Sequence, residues 1–102
     1  MKTVQVKIRE HKLVERMIDI VLPYYYKHEI YLDDYTHHIY GKIDGNITTT
    51  IQEGIYTNDR TTFEVEKENW SGDGCYITDE HKSNELEYNK AKERLETFFN
   101  CL

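Results

Sequence analysis

The tripeptide Asp44-Gly45-Asn46, set between runs in which isoleucine recurs at 39, 43, 47, 51 and 55, constrains the fold more than any other feature. Asp, Gly and Asn each tolerate the tight backbone of a hairpin turn, and alternation on either side makes strands with an apolar face. A two-residue loop would pair Ile43 with Asn46 and set polar residues against that face. A three-residue loop pairs Ile43 with Ile47, Gly41 with Thr49 and Ile39 with Ile51, so that all the isoleucines share a side. Register follows the buried face, so the three-residue loop is predicted, with Asn46 in the left-handed position.

Asn58-Asp59-Arg60 marks the next turn and pairs Ile55 with Phe63, and the run TTFEVEKE then points Phe63 and Val65 inward. Gly54 inside the long strand predicts a bulge. Trp70-Ser71-Gly72-Asp73-Gly74 forms a third turn before a short strand from Cys75 to Thr78.

The flanks read as helices. Leu13, Val14, Met17, Ile18, Val21 and Leu22 make one wide apolar stripe that Pro23 ends. Val4, Val6 and Ile8 alternate as a strand would, but Val4 and Ile8 also fit the helix, so one helix is predicted over most of 4–22. At the other end Asn84 caps and Glu87 reaches back. Tyr88, Ala91, Leu95, Phe98, Phe99 and Leu102 then follow at spacings of three and four, an amphipathic helix running to the C-terminus. The 102 residues suit a single domain. The expected fold is α+β: a four-stranded antiparallel β-meander with an N-terminal and a C-terminal helix packed on one sheet face. Ile39, Ile43, Ile47, Ile51, Ile55, Phe63, Val65 and Ile77 would point inward.

A formal net charge of −6 argues against nucleic acid and against an anionic membrane surface as partners, because both select for basic patches. A protein partner with a basic surface is compatible with it. The start, MKTVQVKIRE, interleaves charges with apolar residues and lacks the apolar run of a signal peptide, and no stretch is long and apolar enough to span a membrane. A cytoplasmic location is expected. Cys75 and Cys101 then read as reduced thiols, and the sequons at Asn46 and Asn69 carry no consequence.

The segment 24–40 concentrates six of the nine tyrosines and three of the five histidines. Tyrosine offers contact area with few rotamers to freeze, which suits a binding surface, and Tyr31, Tyr35, His38 and Tyr40 are the candidates. The competing reading is that these rings complete the core. His28, Asp33, Asp34, His37 and His38 are metal-ligand types, but in a strand His37 and His38 face opposite sides, so no metal or other cofactor is expected. Nor does a nucleophile–base pairing or a phosphate-binding glycine loop appear.

Glu64, Glu66 and Glu68 alternate with Phe63 and Val65, which places the three carboxylates on one sheet face. Their expected neighbours are Thr50 and Gln52, then Thr48, His38, Tyr40 and Lys42. Such a face is either an ordinary solvated surface or a docking site for basic protein. Phe98, Phe99 and Leu102 are bulky for a chain end and suggest a homodimer through the C-terminal helix.

The strand TFEVEK, a Gly-containing turn and the helix NKAKERLETFF resemble the last strand and helix of the double-stranded-RNA-binding domain. The resemblance covers only the C-terminal part of the chain. It departs at the helix start, where the basic cluster that meets phosphates is replaced by Glu85 and Glu87. The functional expectation is therefore a small acidic interaction protein that binds and inhibits or modulates a macromolecule, of the immunity or anti-defence type. The alternative is a small hydrolase or nucleotide-processing enzyme using His37 or His38 with Asp33, Asp34 or Glu29.

Overall fold

Two layers of different kinds cover the two faces of one central sheet. The computed structural model describes residues 2–10, 14–58, 60–70, 77 and 80–100. Strands β1 (Lys2–Glu10) and β2 (Val14–Leu22) pair antiparallel. Strands β3 (Tyr24–Tyr31), β4 (Tyr35–Asp44), β5 (Ile47–Tyr56) and β6 (Thr61–Asn69) form a four-stranded antiparallel meander in sequence order. Helix α1 (Glu85–Asn100) follows. The α+β class, a four-stranded antiparallel sheet and the C-terminal helix match the expectation, but one of the four strands, β3, comes from the Tyr-rich segment, which was not among the strands expected.

The N-terminal helix does not form; a strand pair stands in its place. Val4, Val6, Ile18, Ile20 and Leu22 alternate, and the register sets Val6 opposite Ile18 and Val4 opposite Ile20. Val6, Ile20 and Leu22 are buried, whereas Met17 and Val21 stay 54% and 46% exposed. The period of two thus wins over the helical stripe, as β-branched residues favour. Leu13, part of that stripe, lies outside the described residues. Pro23 joins β2 to β3 through a cis Leu22–Pro23 bond rather than ending a helix.

The β4–β5 register also differs from expectation. Asp44 pairs with Ile47 across a two-residue loop, Gly45-Asn46, and Gly45 itself takes the left-handed conformation at φ 63°. Ile43 therefore faces Thr48, Gly41 faces Thr50 and Ile39 faces Gln52. A one-residue slip turns every side chain over, and the slip is tolerated because both faces are covered. Ile39 and Ile43 pack with Val6, Ile20, Leu22, Tyr24, Tyr26 and Ile77 under the β1–β2 hairpin. Ile51 packs with Tyr40, Tyr88, Ala91, Tyr25, Phe63 and Leu95 under α1. Ile39 and Ile43 thus belong to one core and Ile51 to the other, while Ile47 and Ile55, on the helix side, stay 38% and 41% exposed rather than buried. A criterion that assumed one buried face put Ile39 and Ile43 on the wrong side.

On β6, Phe63 pairs with Glu53 and Ile55 with Thr61, a shift of two positions that keeps Phe63 and Ile55 on the helix face as predicted. Pairing runs unbroken through Gly54, so no bulge forms there. Instead, a Cβ at 54 would lie 2.7 Å from the Thr62 hydroxyl and 3.3 Å from the Tyr35 ring. The turn at Asp59, the turn through 71–74, the strand expected at 75–78 apart from Ile77, and both cysteines lie outside the described residues.

Helix α1 begins as its sequence suggests: Asn84 Oδ1 accepts a hydrogen bond from the Glu87 amide at 2.9 Å. The Glu87 carboxylate turns to the Ser83 hydroxyl. Of the terminal apolar group, Phe98 is taken up against Phe63, with ring centroids 5.1 Å apart. Phe99 remains exposed, and Leu102 lies outside the described residues. Among the described residues no helix is long and apolar enough to cross a membrane.

Candidate recognition surface

Strand parity fixes which side chains share a face. On the hairpin side, Tyr35 lies opposite Tyr56 at one end of the sheet. Successive rows then read His37, Gly54 and Thr62; Ile39, Gln52 and Glu64; Gly41, Thr50 and Glu66; Ile43, Thr48 and Glu68. The β1–β2 hairpin covers the β3–β4 side of these rows, where Ile39, Ile43 and Tyr26 sit. Among the described residues no strand or helix covers the β5–β6 side, and Glu64, Glu66 and Glu68 all face solvent. The three carboxylates therefore stand on one face beside Gln52, Thr50 and Thr48, three of the neighbours the sequence suggested.

At the Tyr35 end this open region becomes concave. The Tyr35 and Tyr56 rings stack at 4.9 Å with an interplanar angle of 21°, and the Tyr35 hydroxyl lies 3.0 Å from His37 Nδ1. Arg60 lies over the other partner of the stack, 5.5 Å from the Tyr56 ring. Gln52, Thr62 and Glu64 complete a shallow pocket of about 240 Å³. The missing side chain at Gly54 makes room for the Tyr35 ring.

The remaining candidates lie on the other face. His38, Tyr40 and Lys42 share the helix side with Ile51 and Glu53. Tyr40 is buried beneath α1, and its hydroxyl accepts a hydrogen bond from Arg94 Nη2 at 3.1 Å. His38 stacks on Tyr40 and approaches Glu29 at 3.6 Å. Tyr31 is 70% exposed at the sheet edge and donates to the Glu29 carboxylate. Of the seven candidate residues, the fold brings together Tyr35 and the three glutamates and separates them from Tyr31, His38 and Tyr40.

Glu29 is the centre of the polar group on the helix side. Its carboxyl is held below its ordinary range, first by the Tyr31 hydroxyl and next by the Lys27 ammonium at 2.9 Å. The same hydrogen bond raises Lys27 and outweighs the effect of its burial. Among the described residues, no three His, Cys, Asp or Glu side chains converge as a metal-binding group.

Three contributors escaped the sequence reading. Glu53 is the one charged residue in the described core, 6% exposed. Its alternation with Ile51 and Ile55 already put it on their face. Arg94 stands among alternating charges on the helix, yet it lies three residues beyond Ala91 and beside Leu95, at the flank of the apolar stripe. Tyr56 carried a signal only through its pairing with Tyr35, which the mistaken register concealed.

No protein-family model, no curated protein and no solved structure matches this chain.

Proposed function

We propose that this chain is a small non-enzymatic interaction protein that acts inside the cell. Through the open half of its hairpin-side sheet face it binds a protein partner with a basic surface and inhibits or modulates it, in the manner of an immunity or anti-defence inhibitor. The observation that carries this reading is the row of Glu64, Glu66 and Glu68, solvent-facing and continuous with the stacked Tyr35 and Tyr56 rings. Regularly spaced carboxylates steer a basic partner and fix its orientation, while the flat tyrosine pair supplies contact area at little entropic cost.

The hydrolase alternative draws less support. His37 and His38 project from opposite sheet faces, so they cannot serve one substrate together. Glu29 is engaged by Lys27 and Tyr31, and its lowered proton affinity is unsuited to a general base at neutral pH.

The test compares the wild-type chain with the triple variant Glu64→Lys, Glu66→Lys, Glu68→Lys as bait in its native cell extract. A stoichiometric partner should be retained by the wild type, released by rising salt and absent from the variant. Retention of no stoichiometric partner, or of one that survives the charge reversal, overturns the reading.

A further inference from the structure

The two edges of the central sheet differ. Which backbone groups point outward follows from two hydrogen bonds at the ends of the β5–β6 ladder: Trp70 N–H to Asn46 C=O at 2.7 Å, and Tyr56 N–H to Arg60 C=O at 2.8 Å. Both join even-numbered residues in the register that pairs Thr48 with Glu68 and Gln52 with Glu64. In an antiparallel ladder, hydrogen-bonded and non-hydrogen-bonded pairs alternate. Glu64, Glu66 and Glu68 therefore turn their N–H and C=O groups toward β5. Phe63, Val65 and Lys67 turn theirs outward.

The same parity holds at the β3 edge, and there the outward groups of Tyr25 and Lys27 find partners. The Lys27 amide donates to His81 C=O at 2.8 Å and Tyr25 C=O accepts from the Ser83 amide at 3.0 Å, with Tyr26 and Lys82 bridged between them. Residues 81–83 thus cover the β3 edge at Tyr25–Lys27. At β6, no backbone group among the described residues meets the outward row.

We propose that β6 is a docking edge that takes an extended segment of the partner as an additional antiparallel strand, with lysine or arginine at alternate positions and apolar residues between them. The proposal rests on the acidic-face reading above and specifies how the partner is held. Charge complementarity selects the occupant. An added strand would form its hydrogen-bonded pairs with Phe63, Val65 and Lys67, leaving Glu64 and Glu66 in non-hydrogen-bonded pairs, where facing side chains come closest. Basic residues at those positions meet carboxylates at short range. The intervening residues fall on the helix face next to Phe63 and Val65, the latter 44% exposed. A second copy of β6 is a poor occupant, because antiparallel self-pairing would set the three carboxylates of one copy against those of the other.

The probe is a capped nine-residue peptide alternating valine with lysine. Its control has the same composition with the lysines in one block. The wild-type chain should bind the alternating peptide at least about tenfold more tightly than the control. Lys67→Pro removes an outward N–H without touching the β5–β6 ladder, a position where an edge strand accepts proline. It also removes a positive charge, so simple attraction to a basic peptide would hold or strengthen, whereas strand addition requires a loss of about tenfold or more. Lys67→Ala, which removes only the charge, should bind as the wild type does. A measurement on the wild type keeps the test decisive if the proline variant does not fold: the Phe63 and Val65 amides should exchange more slowly once peptide is added.

Equal binding of the two peptides, undiminished binding by a folded Lys67→Pro, unchanged amide exchange, or no binding of either peptide each overturns strand addition. Where both peptides bind equally and the triple glutamate reversal abolishes both, the acidic-face reading stands and strand addition falls. Where the triple reversal leaves binding of the alternating peptide intact, the acidic-face reading itself falls.

Discussion

Arg94 on α1 holds the buried carboxylate of Glu53 on β5 through two hydrogen bonds, Nε to Oε2 at 3.0 Å and Nη2 to Oε1 at 3.2 Å. The guanidinium also lies 5.5 Å from the Tyr40 ring centroid. It therefore ties helix to sheet at the one position where the described core contains a charge. Removing only the cation leaves a buried, uncompensated carboxylate. Arg94→Met should cost about 2–3 kcal/mol, below the full penalty for a buried pair because the arginine is partly solvated. The double variant Glu53→Met, Arg94→Met should recover most of that loss, since nothing charged remains to desolvate. Urea unfolding of the two variants and the wild type checks both outcomes.

Gly41 and Tyr26 are cross-strand neighbours on the hairpin side, and the tyrosine ring lies directly over the glycine. A Cβ at 41 would sit 2.0 Å from the Tyr26 Cζ atom, and the buried ring has no free direction in which to withdraw. Gly41→Ala should destabilise the chain by about 2–3 kcal/mol through overpacking. In the Gly41→Ala, Tyr26→Ala double variant the clash is gone, so its loss should be smaller than the sum of the two single losses. A thermal or urea double-mutant cycle measures the difference.

The sequence made the strands legible where turn chemistry and alternation agreed, as they do on either side of Gly45 and along Thr61–Asn69. The capped C-terminal helix was legible for the same reason. The N-terminal hairpin was not, because its apolar residues satisfy a helical stripe and an alternating pattern at once. Only packing decides between them, and Val4, Val6, Ile18 and Ile20 find a face to cover as a pair of strands. Side-chain direction in β4 was lost with the register. A single buried face would have made the isoleucine pattern diagnostic, but a sheet covered on both sides places isoleucine on either. Glu64, Glu66 and Glu68 kept their common face because their mutual spacing does not depend on the pairing of other strands. His38 and Tyr40 were drawn toward them only by that mistaken pairing.

Glu29 gives the chain an acid-sensitive element. Its carboxyl titrates below its ordinary range in the folded state, mainly because Tyr31 and Lys27 donate to the ionised form. The sign follows from linkage. A depressed folded-state value contributes stability above the unfolded carboxyl value of about 4.3, and that contribution fades as pH falls through the lower folded value. Lys27, raised by the same contact, contributes fully below its unfolded value of about 10.4 and loses that contribution as pH rises through the folded one. Glu29→Gln should therefore lose less stability than the wild type between about pH 5 and pH 3. Urea midpoints of both proteins across that range give the comparison, and parallel acid limbs would refute the assignment.

The outward and inward alternation along β6 makes a prediction for the isolated chain, independent of any partner. Amides that point toward β5 are hydrogen-bonded within the sheet, so those of Glu64, Glu66 and Glu68 should exchange slowly with solvent. Those of Phe63, Val65 and Lys67 point to the open edge and should exchange quickly, although Phe63 is half-buried through its side chain. Side-chain burial and amide protection thus run in opposite phase along this strand, with solvent-facing glutamates carrying the protected amides. At β3 the contrast is blunted, because the outward Lys27 amide is bonded to His81 and should be protected alongside the inward ones. Residue-resolved exchange by NMR reads the pattern directly. Uniform protection along Thr61–Asn69 would mean that the β6 edge is already covered, and slow exchange at the odd positions alone would reverse the ladder parity.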